Sequence, residues 1–182
     1  MAFPELETPR LQLVEIKKKH IVHYYNILSM DEVTRYYGMD PLEKESDAIN
    51  MINSFRHNYE SKRGIRWGII IRDMQEFAGT LGLNNLSLWS KKAELGYELH
   101  PNYWNQGIIT EAARSVLNYA FSELALVRMG AVTYPQNIAS IAVLEKLGFQ
   151  KEGLLRRYLY QNNQSHDAYI FSLLNDEWDA RA

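Results

Sequence analysis

The chain contains no cysteine among its 182 residues, and this absence removes several kinds of chemistry. Disulfides, thiolate-bound metal sites, iron–sulfur clusters and a cysteine nucleophile are all excluded. An excess of positive charge is also lacking, because 20 Lys and Arg stand against 22 Asp and Glu, a formal net charge of −2. Without a net positive field, long-range attraction to nucleic acid or to an anionic membrane is disfavoured. We therefore expect no direct nucleic-acid partner and no membrane partner.

Long apolar runs are missing as well. Runs such as Ile69-Ile70-Ile71 are far too short to span a bilayer. The first residues, Met1 to Glu5, lack the basic and apolar segments of a secretory signal. Together with the lack of cysteine, these features lead us to expect a cytoplasmic protein. The length is typical of one domain, so residues 1–182 are predicted to form a single domain whose core needs no disulfide or metal.

Apolar residues recur with strand-like and helix-like spacing along the chain. The pattern predicts helices at about 18–30 and from about 46, a long helix after Gly107, and a short one between Asn137 and Gly148. The predicted strands cover 11–16, 67–72, 77–83, 94–100, 128–133, 154–160 and 169–174. This order predicts a mixed α/β (α+β) fold with a mainly antiparallel sheet.

The five histidines do not form a metal-binding pattern. His20 and His23 share a helical face, but no third ligand accompanies them. His166 and Asp167 are adjacent in a predicted hairpin without an activated serine motif, so we interpret them as part of that hairpin. We expect no metal site.

The segment from Glu94 to Glu111 reads as a strand, a short polar loop and the start of a long helix. Amides in the first turn of a helix lack acceptors within it, and the helix dipole adds positive potential there, which favours a phosphate or pyrophosphate. Gly107 would let such a ligand approach the backbone, although it could also simply ease the turn. The chain has neither a Walker A sequence nor a G-x-G-x-x-G run, so P-loop and Rossmann sites are disfavoured.

Two motifs resemble the GNAT family of acyl-CoA N-acyltransferases. The sequence Tyr-Trp-Asn-Gln-Gly-Ile-Ile-Thr-Glu-Ala at 103–112 is similar to the Tyr-Trp-Gly-x-Gly-Tyr-Ala-Thr-Glu-Ala of the RimJ/RimL branch, the ribosomal-protein N-acetyltransferases. The segment from Asn137 to Phe149 resembles the Asn-x-x-Ser/Ala helix that ends in Glu-Lys-x-Gly-Phe, and residues 8–13 resemble the first strand of that branch. The resemblance covers about residues 8–174.

The resemblance implies a GNAT fold in which two strands splay apart to form an acetyl-CoA cleft. The loop would bind the CoA phosphates, two backbone positions would pair with the pantetheine arm, and the helix after residue 137 would contribute polar side chains. The cofactor-binding residues implied are Leu99, His100, Gln106, Gly107, Ile108, Ile109, Thr110, Asn137 and Ser140. The cosubstrate would be acetyl-CoA, without a metal.

The implied reaction is attack by an amine on a thioester, which needs a group that removes a proton. Glu94 is the first candidate base and Glu98 the second, since both face the same side of a regular strand; each could instead be a solvated surface residue. Many relatives place a tyrosine acid where this chain has Leu144. Ser140, one turn earlier, is then the candidate that assists the leaving thiolate.

The resemblance thus implies an acetyl-CoA-dependent N-acetyltransferase that acts on a primary amine. The acceptor stays open among a protein N-terminal α-amine, ribosomal or other, a polyamine and an aminoglycoside. The alternative is a CoA-binding sensor or scaffold without turnover. The leucine at position 144, where many relatives have tyrosine, favours this alternative. The presence of Glu94, Glu98 and Ser140 disfavours it. The branch resemblance also suggests a homodimer.

Overall fold

A computed structural model describes residues 2–179, in which eight strands form one sheet. The strands are β1 (Leu6–Glu7), β2 (Leu11–Glu15), β3 (Ile65–Ile71), β4 (Glu76–Ser87), β5 (Lys92–Leu99), β6 (Arg128–Thr133), β7 (Gln150–Gln161) and β8 (Gln164–Leu174). Their order across the sheet is β1-β2-β3-β4-β5-β6-β8-β7. All neighbours are antiparallel except β5 and β6. The predicted mixed α/β fold with a mainly antiparallel sheet is confirmed.

Within residues 2–179, six α-helices accompany the sheet. They are α1 (Ile21–Leu28), α2 (Asp31–Thr34), α3 (Glu45–Glu60), α4 (Ile108–Asn118), α5 (Ile138–Leu147) and α6 (Asn175–Asp179). The single helix predicted over 18–30 is wrong in its bounds, since a 3-10 turn at Lys18–His20 precedes α1 and the extended residue Met30 separates α1 from α2. The sequence pattern missed β1, α2 and α6 because elements of two, four and five residues have no readable period.

The helices cover the two faces of the sheet and create two apolar clusters. Helices α4 and α5 pack on one face, where fully buried residues such as Trp67, Leu81 and Val116 form the larger cluster. Helices α1 and α3 pack on the other face, where Tyr24 and Phe77 belong to the smaller cluster. Since side chains alternate along a strand, β3 and β4 contribute to both clusters.

Strands β5 and β6 pair over only three residues. Lys92, Ala93 and Glu94 of β5 lie opposite Arg128, Met129 and Gly130 of β6. Beyond that point the two strands diverge, so residues 95–99 of β5 have a partner only in β4. This is the splayed strand pair that the resemblance implied, and it opens a passage through the sheet.

His20, in the turn before α1, is a buried histidine that the fold keeps neutral. Its Nδ1 accepts a hydrogen bond from the backbone N–H of Lys17 at 3.1 Å, and its ring stacks on Phe77 with centroids 5.1 Å apart. Burial, followed by the positive charge of Lys19, lowers the pKa of His20 from 6.5 to about 4.

We expect the free energy of unfolding to decrease as the pH falls from about 6.5 to about 4. In this range the unfolded chain binds a proton at His20 while the folded chain does not, so protonation favours unfolding, by at most about 3 kcal/mol. The variant His20→Asn keeps a side-chain acceptor for Lys17 but cannot titrate. Urea unfolding across this pH range should therefore show a flatter dependence for the variant; equal slopes would contradict the assignment.

Candidate active site

The gap between β5 and β6 leads into a cleft of about 980 Å³ that reaches both faces of the sheet. On the α4 and α5 side it is lined by the loop before α4 and by the first turns of α5. On the opposite side it is lined by residues in and after α2, such as Tyr36 and Tyr37, and by Tyr158 of β7. The cleft is therefore lined by residues from both faces of the sheet.

The loop before α4 has the geometry of an anion site. Gly107 is left-handed, with φ 73° and ψ 11°, and directly precedes α4. The side chains of Ile108, Ile109 and Thr110 are buried, so their packing fixes the first turn while its amides have no acceptor within the helix. Gln106 is exposed and its amide donates to the carbonyl oxygen of Asn102 at 2.7 Å. The predicted phosphate loop thus has its backbone amides available.

A contact from the start of the chain holds this loop in place. Arg10 donates from Nε to Glu111 at 2.6 Å and from Nη1 to the carbonyl oxygen of Gln106 at 3.0 Å, and Thr8 donates to Glu111 at 2.6 Å. Although desolvation acts to raise it, these hydrogen bonds lower the pKa of Glu111. Residues 103–110 contain no Lys or Arg; Arg10, although paired with Glu111, has its Nη2 3.6 Å from the position of a Cβ on Gly107. Sequence patterns cannot show the contact between Arg10 and the loop, because the two lie about a hundred residues apart.

The strand edge beside the gap offers fewer free backbone groups than expected. The N–H of His100 donates to Ala78 at 2.8 Å and its carbonyl accepts from Tyr103. The Leu99 carbonyl accepts from the indole N–H of Trp104 at 2.8 Å. Since backbone groups alternate in direction along a strand, the Leu99 N–H and the Tyr97 backbone face the gap. These groups, rather than those of His100, are available to a ligand.

Glu98 is buried and fully committed to contacts within the protein. Its carboxylate forms an ion pair with Arg66 and accepts hydrogen bonds from Thr80 and, at 2.7 Å, from Tyr37. Burial raises the pKa of Tyr37 above its ordinary value, so Tyr37 stays a donor. The sequence did not reveal this cluster, because its members lie on β3, β4, β5 and the segment after α2.

Two glycines make room for this ion pair. A Cβ placed on Gly82 would lie 2.6 Å from the Arg66 side chain, and one on Gly96 would lie 2.6 Å from Asn84. Arg66 therefore extends across β4 to Glu98 over residues that lack side chains. The Arg66 side chain covers this strip and, together with Asn84, lines both the main cleft and a neighbouring cavity.

Glu94 lies on the same face of β5 as Glu98 but in a different environment. It is half-buried, lines the cleft, and accepts one hydrogen bond from Asn85 at 3.0 Å. Among the described residues it has no ion-pair partner. Glu94 therefore presents to the cleft a carboxylate held by one described hydrogen bond, whereas Glu98 is held by three partners.

The first turn of α5 forms the opposite wall. Asn137 caps the helix, since its Oδ1 accepts from the Ser140 N–H at 3.2 Å. The Ser140 hydroxyl lines the cleft and lies 2.7 Å from the hydroxyl of Tyr97. Leu144 is buried in the larger apolar cluster, so it supplies no polar group. Sequence analysis did not single out Tyr97, because its partner is on another element.

Residues 2–179 contain neither a metal-ligand cluster nor a membrane-spanning helix. Groups of three or more His, Asp or Glu that could hold a metal ion do not occur there. In the same part of the chain, helices long and apolar enough to cross a membrane are not found.

Comparison with known proteins identifies the family. Residues 10–150 match the model of the acetyltransferase (GNAT) domain. The chain belongs to the GNAT acetyltransferase family. It is an N-acetyltransferase, and enzymes of this family use acetyl-CoA. The predicted family and enzyme class are thus confirmed.

Relatives along almost the whole chain carry related names. The uncharacterized N-acetyltransferase YoaA of Bacillus subtilis (strain 168) is 45% identical over 172 residues, which cover 94% of this chain and 97% of YoaA. The spermidine N(1)-acetyltransferase of Escherichia coli (strain K12) is 24% identical over 175 residues, covering 96% of this chain and 90% of that protein.

Solved GNAT structures share the fold. An acetyltransferase (GNAT family) from Bacillus anthracis superimposes with a TM-score of 0.84 at 25% identity, covering 96% of this chain and 100% of that one. RimL, a ribosomal L7/L12 α-N-protein acetyltransferase in complex with coenzyme A, superimposes with a TM-score of 0.84 at 17% identity, covering 96% of this chain and 99% of that one.

We expect the left-handed backbone at Gly107 to be required for CoA binding. Gly107→Val places a β-branched residue at positive φ, which distorts the loop and should weaken CoA binding at least roughly tenfold. Gly107→Asn, which tolerates this conformation better, should stay within about threefold of the wild type.

Isothermal calorimetry with CoA measures both effects. Gly153→Ala is the matched control, since a Cβ at Gly153 meets nothing within 4 Å. Unchanged affinity in Gly107→Val would mean that the phosphates bind elsewhere.

Proposed function

We propose that this GNAT enzyme acetylates the N-terminal α-amine of a polypeptide, with acetyl-CoA bound along the α4 loop and Glu94 as the general base. The observation that carries the proposal is the cleft through the sheet, because it joins an anion site on one face to an unpaired carboxylate on the other. The cofactor enters from the α4 and α5 side and the amine from the α2 side. They meet in the gap between β5 and β6.

The cofactor side supports phosphate and pantetheine binding. The free amides after Gly107, the positive end of α4 and the Arg10 guanidinium suit the pyrophosphate. The Leu99 N–H and the Tyr97 backbone can pair with the amides of the pantetheine arm, and Asn137 and Ser140 line the other wall. The thioester then lies at the gap.

Glu94 is the better base because Glu98 already accepts three donors. Protonation of Glu98 would break the buried ion pair with Arg66, which is costly, whereas Glu94 would lose only its contact with Asn85. In the reaction the amine nitrogen forms a bond to the acetyl carbon and its proton passes to Glu94, directly or through water. The carbon–sulfur bond then breaks and the electron pair leaves with the CoA sulfur.

A second cavity favours a peptide over a polyamine as acceptor. It measures about 540 Å³ and shares Arg66 and Asn84 with the cleft. Its lining includes Asn58, Arg63 and Asn85 but no carboxylate. Amide side chains can pair with both the N–H and C=O groups of a peptide, whereas a second cationic amine would meet Arg63 without a counter-charge.

The position of Glu94 fits this arrangement. Its partner Asn85 lines the second cavity, so Glu94 sits where that cavity joins the cleft. A peptide whose α-amine reaches Glu94 can continue past Asn84 and Asn85 into the second cavity. The RimL enzyme, which acts on the α-amine of a protein, shares this fold and supports the same acceptor class.

We expect Glu94→Gln to lower kcat/KM by roughly 10²–10⁴-fold, since it removes the proton acceptor and keeps the size of the side chain. Glu98→Gln should instead destabilise the protein by about 3–5 kcal/mol by leaving Arg66 unpaired in a buried position. Kinetics and thermal unfolding separate the two effects. Near-wild-type rates for both folded variants would mean that water or the amine's own equilibrium supplies the free amine.

We also expect longer peptides to be better acceptors. Between alaninamide and a tetrapeptide that begins with alanine, kcat/KM should rise roughly 10- to 100-fold as backbone groups fill the second cavity. The kcat/KM for spermidine should be lower than that for the tetrapeptide. Asn58→Leu should reduce this increase in kcat/KM with peptide length, because Asn58 lines the second cavity. Asn50→Leu is the matched control, since Asn50 is exposed on the same helix and does not line that cavity; it should leave the increase unchanged.

Acetylation rates measured with acetyl-CoA and alaninamide, the tetrapeptide or spermidine distinguish these acceptor classes. A preference for spermidine, or no dependence on peptide length, would contradict the peptide proposal. Binding of CoA without acetylation of any amine would favour the alternative of a sensor or scaffold.

Cellular location and assembly are part of the same proposal. A peptide acetyltransferase that consumes acetyl-CoA fits the cytoplasm. The edge strand β7 exposes Leu154, Tyr158 and Tyr160, which supports a homodimer through this edge.

A further inference from the structure

Two hydroxyl groups meet at the wall of the cleft without any other side-chain partner. The hydroxyl of Tyr97 on β5 lies 2.7 Å from that of Ser140 in the first turn of α5. Over the described part of the chain, neither hydroxyl makes a second hydrogen bond. Two hydroxyls contain two protons and their mutual hydrogen bond uses one. One O–H of the pair therefore remains for an acceptor in the cleft.

The two side chains are held firmly. The Tyr97 ring packs against the larger apolar cluster, and the Ser140 backbone is fixed by the cap at Asn137. Tyr97 points to the opposite face of β5 from Glu94, since odd and even positions alternate. The pair thus lies on the cofactor side of the passage while the carboxylate lies on the acceptor side.

The electrostatics suit a donor that does not itself ionise. Burial raises the pKa of Tyr97 to about 12, against the smaller opposite effect of its hydrogen bond to Ser140. Tyr97 therefore stays protonated at neutral pH, and the pair always has its unused proton. When the C–S bond of a thioester breaks, negative charge gathers on sulfur, and a hydrogen bond to a charged partner is stronger than one to a neutral partner.

We propose that Tyr97 is a positioning residue that fixes the Ser140 hydroxyl, so that the pair acts as one unit when Ser140 donates its O–H to the departing CoA sulfur, the role that the family resemblance implies for Ser140. This rests on the proposed acetyl transfer. The electron pair of the broken C–S bond stays on sulfur, the thiolate takes its proton from solvent, and the amine proton is on Glu94. Leu144 contributes no hydroxyl, so the pair supplies this hydrogen bond from the neighbouring turn.

A double-mutant cycle tests the coupling. Ser140→Ala should lower kcat about 10- to 150-fold, as expected for a lost hydrogen bond to a charged group. Tyr97→Phe keeps the ring and should lower kcat by about three- to tenfold, with KM for acetyl-CoA within about twofold. The double variant should be no slower than Ser140→Ala alone. Tyr25→Phe, which loses a hydroxyl contact to Glu43 away from the cleft, is the matched control.

Multiplicative losses in the double variant, or full kcat in Tyr97→Phe, would overturn the proposal. If the wild type acetylated no amine, the proposed function would fail separately, and the pair would still be tested by the cofactor alone.

That second test follows the thiol of bound CoA by the ultraviolet absorbance of its thiolate. In the wild type the bound thiol should ionise about one pH unit lower than in Tyr97→Phe and in Ser140→Ala, because the pair stabilises the thiolate. The same ionisation pH in all three proteins would overturn the proposal, whatever the acceptor is.

Discussion

The early end of the β5–β6 ladder is the constraint on which the rest of this structure depends. A strand that stops pairing leaves backbone donors and acceptors exposed inside the protein, and unpaired groups of this kind are costly when they are buried. Here His100 and the Leu99 carbonyl are satisfied by Ala78, Tyr103 and Trp104, while the groups nearest the gap are not. The fold thus keeps a short stretch of strand edge that an amide-bearing ligand can complete.

The ion pair of Arg66 and Glu98 explains how the acceptor side keeps its shape. A buried ion pair adds little net stability, but it ties β3 to β5 and, through Tyr37, to the segment after α2. Glycine at positions 82 and 96 allows the arginine to cross the sheet. Glu98 is therefore held in an ion pair with Arg66, whereas Glu94 has no ion-pair partner among the described residues, although the two residues occupy equivalent positions in the strand pattern.

Much of the architecture could be predicted because its signals are local. Helical spacing after Gly107, the cap at Asn137 and the left-handed Gly148 depend on neighbouring residues alone, and the structure contains each of them. The roles of Arg10 and Tyr97 could not be predicted, since each depends on contacts between residues at least forty positions apart. The same limit kept Glu94 and Glu98 indistinguishable in sequence, because only Arg66, two strands away, separates them.

The alternation of β5 places the two groups proposed for the reaction, Glu94 and Tyr97, on opposite sides of one strand. Glu94 faces the α1 and α3 side, where an amine would lose its proton, and Tyr97 faces the α4 and α5 side, where a thiolate would depart. Because a strand reverses its side chains at every residue, three positions are enough to put a proton acceptor and a hydroxyl donor on either side of the gap. An acetyl group held in the gap is then exposed to the nucleophile from one face and to the donor for its leaving group from the other. A regular β5–β6 ladder would have closed that passage and separated the two groups by an unbroken sheet.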